Sequence, residues 1–126
     1  MSQPLRLEAE VLNLRTKHPF IIARGGQSDY RTVWVRLVDH EGVEGWGEAA
    51  PNRIYGETPE TVLAALQNFA EHMPSDPLDL EGSERRWEKL LRFNPSARVA
   101  LSSALHDLAG KRLGVPVYRL WGLDPA

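Results

Sequence analysis

The sequence of 126 residues has the length of one domain and the composition of an ordinary globular protein, with 42% hydrophobic and 25% charged residues. Fifteen Lys and Arg nearly balance 17 Asp and Glu, and cysteine is absent, which excludes disulfides and thiolate metal sites. Without a basic cluster, a long apolar run or an apolar leader, we expect a cytoplasmic protein with neither a nucleic-acid nor a membrane partner.

The first part of the chain predicts three strands. Residues 5–14 alternate between apolar and polar side chains, a pattern typical of a half-buried strand. Residues 17–30 break this alternation and contain two adjacent glycines, so we interpret them as a loop. Residues 33–38 form the second predicted strand, and the connection 39–42 has the length of a hairpin turn. The third strand, 43–49, should therefore pair antiparallel with the second.

The third predicted strand has one face of small side chains, formed by Val43, Gly45, Gly47 and Ala49. Such a face allows a helix to pack close to the sheet. A hairpin or a β-bulge would explain the two glycines equally well.

Capping signals predict helices in the second part of the chain. Thr, Ser or Asn stands at the start of each of the first three predicted helices, and two of these residues precede a proline, which is favoured at the first helical position. The predicted segments are Thr58 to Met73 ended by Pro74, a short helix capped by Ser83 around Trp87, Asn94 to Leu113 ended by Gly114, and a last turn from Tyr118 to Trp121. The predicted fold is α+β, a three-stranded antiparallel meander followed by three to four helices.

Few residues suggest chemistry by themselves. Arg24 stands where it could bind a ligand carboxylate, or it could be a surface arginine bonded to its own loop. Tyr55 is either a contact residue or a packing anchor. His106 and the aspartate after it could form a buried site, although a structural role is the better interpretation. Glu48 and Glu57 would act as acid and base only if the fold brought them together. The residues alone thus predict an α+β domain with two candidate binding loops.

Several segments resemble the N-terminal capping domain of the enolase superfamily, in its muconate-lactonizing and mandelate-racemase branch. They occur in the family's order and cover nearly the whole chain. The segments are Pro19-Phe20 through Arg24-Gly25, then residues 45–51, 55–58, 96–111 and 114–118.

The resemblance implies that residues 1–126 are a capping domain that is inactive alone. In the family, a separate C-terminal (β/α) barrel, which we expect to lie outside this chain, supplies the acid/base lysines and three acidic Mg²⁺ ligands. The domain would close over its own barrel with two loops, residues 20–30 and 50–57. Arg24, Phe20 and Tyr55 are then the expected substrate-binding residues, and the chain itself would supply no catalytic residue or metal ligand.

Residues 20–25 and 55–57 look most like those of dipeptide epimerases, including L-Ala-D/L-Glu epimerases, which invert an amino-acid α-carbon through an enediolate. The expected substrate is a dipeptide or an N-acyl amino acid. The sequence leaves open whether the protein forms a homo-oligomer. The alternatives are the capping domain of an o-succinylbenzoate synthase, N-acylamino acid racemase or muconate cycloisomerase-like enzyme, and a free-standing binding module. His106 departs from the large aromatic found in many relatives, which should change the local packing.

Overall fold

The computed structural model describes residues 3–126. Three antiparallel strands lie in the order β1-β2-β3, and four helices follow them, with a short 3-10 helix before the first. This arrangement confirms the predicted α+β meander. The elements are β1 (Arg6–Ile22), β2 (Gly25–Val38), β3 (Glu44–Ala49), the 3-10 helix (Arg53–Tyr55), α1 (Pro59–Ala70), α2 (Leu80–Leu90), α3 (Pro95–Leu113) and α4 (Val117–Leu120).

The predicted loop at 17–30 is wrong, because β1 and β2 continue through it as a long hairpin. The pairing runs evenly from Arg6 to Arg15, slips, and resumes at Phe20, which faces Gln27. The slip explains why the sequence predicts a loop here, because an irregular register removes the alternation of side chains by which a strand is recognised. The hairpin turns at Ala23 and Arg24. We call its distal part, residues 20–30, the arm.

The glycine-containing face of β3 packs directly on α3. A Cβ added to Gly45 would lie 2.1 Å from the carbonyl oxygen of Ala104, and one added to Gly47 would lie 2.1 Å from that of Ala100. Real side chains do not approach so closely, so glycine is needed at both positions. The predicted close packing of a helix is confirmed, and β3 pairs with β2 without a slip.

The core lies between the inner face of the sheet and the helices. Trp87 of α2 is fully buried and meets Phe69 of α1 edge to face, with ring centroids 6.4 Å apart. Among the described residues, none of the helices combines the length and apolar character needed to cross a bilayer. The other large side chains that are almost fully buried are Val33, Val35, Leu37, Val62, Leu66, Leu101, Leu105 and Leu108.

The helix ends confirm two of the predicted caps. Thr58 and Thr61 form a reciprocal capping box at the start of α1. Gly114 ends α3 in the left-handed conformation, with φ 69°. However, α1 ends at Ala70 rather than at Met73.

Two other predicted caps act differently. Ser83 does not begin α2; it lies inside the helix, where its hydroxyl donates to the carbonyl of Asp79 at 2.5 Å. Asn94 does precede α3, but it has φ 51° and its side chain makes no cap. Its amide donates instead to the carbonyl of Arg92. The first turn of α3 therefore takes its capping group from elsewhere in the fold.

On the outer face of the sheet, Glu8 accepts hydrogen bonds from Arg36, with Nε at 2.7 Å, and from Arg6 at 3.0 Å. The Arg36 guanidinium is the main cause that holds the pKa of Glu8 below its ordinary value of 4.5. The stability from this pair is therefore present above pH 4.5 and lost as the pH falls through the folded-state pKa.

We expect Glu8→Gln to have a lower melting temperature than wild type at neutral pH, and this difference in melting temperature to disappear in acid. Thermal unfolding at a series of pH values measures this difference, and a difference that does not change with pH would contradict the prediction.

Candidate functional site

A groove of about 1040 Å³ lies between the arm and the segment that joins β3 to α1. Its volume is that of a pocket for a small molecule. The arm and the adjoining part of β2 form one wall, with Phe20 and Arg24 among the lining side chains. The opposite wall consists of residues 50–54 and 57–60. Two segments far apart in sequence thus face each other across one open site.

The arm wall depends on backbone that only glycine adopts easily. Gly25 has φ 115°, which lets the chain reverse directly after Arg24. A Cβ on Gly26 would lie 2.8 Å from the carbonyl oxygen of Phe20 across the hairpin. These glycines place the Arg24 side chain, which is exposed, at the tip of the arm.

The opposite wall is organised around Asn52. Its side chain accepts the amide of Ile54 at 2.9 Å, and its carbonyl accepts the amides of Tyr55 and Glu57. Gly56, at φ 75°, then turns the chain into α1. We call residues 52–56 the loop. These bonds give the loop a defined shape, and its residue Arg53 lines the groove.

The groove has cationic groups without an acidic partner. Arg31 donates to Glu60 at 2.8 Å, which lowers the pKa of Glu60 and neutralises this pair. Asp29 is paired with Arg15 at 2.9 Å. By contrast, the side chains of Arg24 and Arg53 make no hydrogen bond or ion pair with any of residues 3–126. Both line the groove together with the carboxylate of Glu57, so two guanidinium groups are available to the anionic part of a ligand.

Glu57 joins the groove to α3. Its side chain is buried, at 7% exposure, although it contributes to the groove lining. One carboxylate oxygen accepts the amide of Ser96 at 3.2 Å, and the other accepts the Ser96 hydroxyl. Glu57 therefore supplies the helix cap that Asn94 does not.

Among the predicted site residues, the structure places Phe20 and Arg24 in the groove. Tyr55 lies on the 3-10 helix beside it, 73% exposed and outside the lining. Their roles in binding stay predictions. The acid–base pairing considered for two glutamates is not formed, because Glu57 binds Ser96 while Glu48 accepts the Thr32 hydroxyl at 2.8 Å.

His106 and Asp107 have structural contacts. The His106 ring lies 2.8 Å from the carbonyl of Ser102 and meets Trp121 edge to face, with centroids 5.7 Å apart. Asp107 accepts the backbone amide of Trp46 and the ammonium of Lys111, each at 2.9 Å. These contacts join α3 to β3 and to the C-terminal turn, as the structural interpretation required.

Two parts of the site could not be predicted from the sequence. Arg53 is a charged residue in the same loop as Tyr55, but nothing in the neighbouring sequence indicates that it lines the groove opposite the arm. The Arg31–Glu60 pair joins residues 29 positions apart and has no local signal. Within residues 3–126, no group of three or more His, Cys, Asp or Glu could hold a metal ion, so the described residues do not fit an Mg²⁺ site.

Comparison with known proteins yields dipeptide epimerases and also an N-succinyl-L-Arg/Lys racemase and an o-succinylbenzoate synthase. Residues 6–122 match the family described as mandelate racemase / muconate lactonizing enzyme, N-terminal domain. An L-Ala-D/L-Glu epimerase from Bacteroides thetaiotaomicron is 37% identical over 88% of this chain and 29% of its own length. A hydrophobic dipeptide epimerase from Citrifermentans bemidjiense is 36% identical over 90% of this chain and 31% of its own length.

Among solved structures, a dipeptide epimerase from Enterococcus faecalis complexed with Mg and the dipeptide L-Leu-L-Tyr superposes with a TM-score of 0.86. It is 26% identical, and the match covers 94% of this chain and 34% of that protein. This chain thus spans about a third of the length of the proteins it resembles. The chain belongs to the mandelate racemase / muconate lactonizing enzyme N-terminal domain family of the enolase superfamily.

Proposed function

We propose that this chain is the capping domain of an Mg²⁺-dependent dipeptide epimerase that prefers an acidic dipeptide. The observation that carries the proposal is the groove with Arg24 and Arg53 on opposite walls, neither paired with an acidic side chain of residues 3–126. The relatives include epimerases named for an L-Ala-Glu substrate and for hydrophobic dipeptides. Two uncompensated guanidinium groups favour the first class over the second.

In this proposal, the chain recognises substrate and a barrel domain performs the chemistry. The acid/base lysines and the Mg²⁺ ligands belong to that barrel, where the metal stabilises the enediolate. The arm and the loop close over the reacting centre, hold the substrate side chain and exclude water. Relatives roughly three times as long as this chain support a partner domain in the same protein.

Exposed apolar side chains favour a covered domain over a free-standing binding module. Phe93 is 89% exposed, Trp121 61% and Val99 57%. Exposed apolar side chains that lie together mark a surface that contacts another surface, and in our proposal the barrel covers these three.

The test is exchange of the α-proton in D₂O by the full-length protein, followed by ¹H NMR. We expect exchange and epimerisation at the Glu α-carbon of L-Ala-L-Glu, loss of both after metal removal by EDTA, and recovery with Mg²⁺. N-succinyl and N-acetyl amino acids and L-Ala-L-Leu are the comparison substrates. Faster turnover of an N-acyl amino acid would contradict the dipeptide assignment, and no exchange with any substrate would favour a binding module.

A further inference from the structure

We infer that Glu57 is a positioning residue, which holds the loop in place across the groove by tethering it to α3. This inference rests on the proposed function for its kinetic consequences. Its structural consequence, a loop that is released when the tether is cut, does not depend on any activity.

The tether connects a loop to α3, the helix that packs directly on β3. Ser96 is the second residue of α3, where backbone amides have no partner inside the helix. An anionic carboxylate is favoured there by the partial positive charge of a helix N-terminus. Because Asn94 gives no side-chain cap, the Glu57 carboxylate satisfies the Ser96 amide from 39 residues away. Helix and loop are thereby fixed to each other.

The tether also fixes the direction of the loop. The Glu57 amide donates to the carbonyl of Asn52 at 3.2 Å, so the same residue closes the loop on itself and joins it to α3. Between these two points lie Arg53 and Ile54, both of which line the groove. Nothing else among the described hydrogen bonds joins a side chain of residues 52–57 to α3. Releasing Glu57 should let Arg53 move relative to Arg24.

A carboxylate that is bonded to α3 at another residue provides a matched control. Glu84 of α2 accepts a hydrogen bond from Arg98 of α3 at 3.0 Å. Arg98 lies two residues beyond Ser96, so Glu84→Gln perturbs the same end of α3. Glu84 does not line the groove and makes no contact with the loop through this bond. The variant Glu84→Gln therefore shows the effect of a general loosening of α3, without a change in the bond between Glu57 and Ser96.

Trypsin provides the readout that needs no substrate. The exposed Arg53 offers a cleavable bond to Ile54 within the loop. In the full-length protein, we expect Glu57→Ala to be cut there at least about tenfold faster than wild type, since cleavage follows the population of the open loop. Ser96→Ala, which removes the hydroxyl but keeps the helix, should show a smaller increase. Glu84→Gln should be cut there at the wild-type rate.

Kinetics with L-Ala-L-Glu separate positioning from a loss of fold. We expect Glu57→Ala to raise KM about tenfold with kcat within about twofold, the pattern of lost ground-state and transition-state binding alike. Glu57→Gln should recover most of the loss, because the glutamine side-chain oxygen can still accept a hydrogen bond from the Ser96 backbone amide, and its NH₂ group can donate to the Ser96 hydroxyl.

Cleavage at Arg53 at the wild-type rate in both Glu57→Ala and Ser96→Ala would overturn the inference. So would equal acceleration in Glu84→Gln. Accelerated cleavage without any epimerase activity would refute the proposed function and leave the tether standing.

Discussion

Replacing Gly47 with alanine is expected to destabilise the domain by about 3 kcal/mol, the upper range for overpacking a tight core. The new Cβ would lie 2.1 Å from the carbonyl oxygen of Ala100 and 2.9 Å from the amide nitrogen of Ala104. Both atoms belong to the backbone of α3, so no side-chain rotation can relieve the overlap. The helix would have to move away from β3, and the packing on either side of Gly47 would loosen.

Urea unfolding of the purified chain, followed by tryptophan fluorescence, measures the change because Trp87 lies in the core. Gly42→Ala is the comparison, since Gly42 has φ 84° but open space around its Cβ position. This substitution should lower the free energy of unfolding by about 1 kcal/mol, which is the penalty for a Cβ in the left-handed backbone conformation alone. Adding Ala100→Gly to Gly47→Ala should not restore stability, because the obstructing atom is a carbonyl oxygen. A loss no greater than that of Gly42→Ala would rule out the proposed overlap.

The fold was largely predictable where local chemistry decides the structure. Thr58 followed by Pro59 satisfies the start of a helix with its own side chain, and Gly114 ends one by its conformational freedom. Gly45 and Gly47 also gave a usable signal, because close packing was one of few uses for two glycines on one face of a strand. In these cases, the signal that predicts the feature lies in residues that are neighbours in sequence.

Features that depend on distant partners were not predictable in the same way. The sequence predicts a loop where the arm lies, because the strand pairing slips between Arg15 and Phe20 and removes the alternation of side chains. Glu57 looked like one more charge in an exposed loop, yet Ser96 makes it a buried helix cap. The sequence groups Tyr55 with Arg24 by its exposed loop position, but Tyr55 lies on the 3-10 helix and outside the groove lining.

Replacing Arg24 with alanine should lower kcat/KM for L-Ala-L-Glu about 30-fold, which corresponds to about 2 kcal/mol for a hydrogen bond to a charged group. The guanidinium stands at the tip of the arm without an acidic partner among residues 3–126, so it is free to bind the Glu side-chain carboxylate. The loss should appear mainly in KM, because the barrel performs the chemistry in our proposal. L-Ala-L-Leu, which lacks that carboxylate, should be turned over by the variant nearly as well as by wild type.

Two further variants make the Arg24 result specific. Arg92→Ala removes the same charge from an exposed position outside the groove lining and should leave both substrates unaffected. Arg24→Lys keeps the charge but loses the planar two-point contact, so it should recover only part of the affinity for the acidic dipeptide. Equal losses for the acidic and the neutral dipeptide would show that Arg24 supports the arm rather than binding the carboxylate. In that case Arg53, on the opposite wall, would be the remaining candidate for the anion contact, and Arg53→Ala should then carry the substrate-dependent loss.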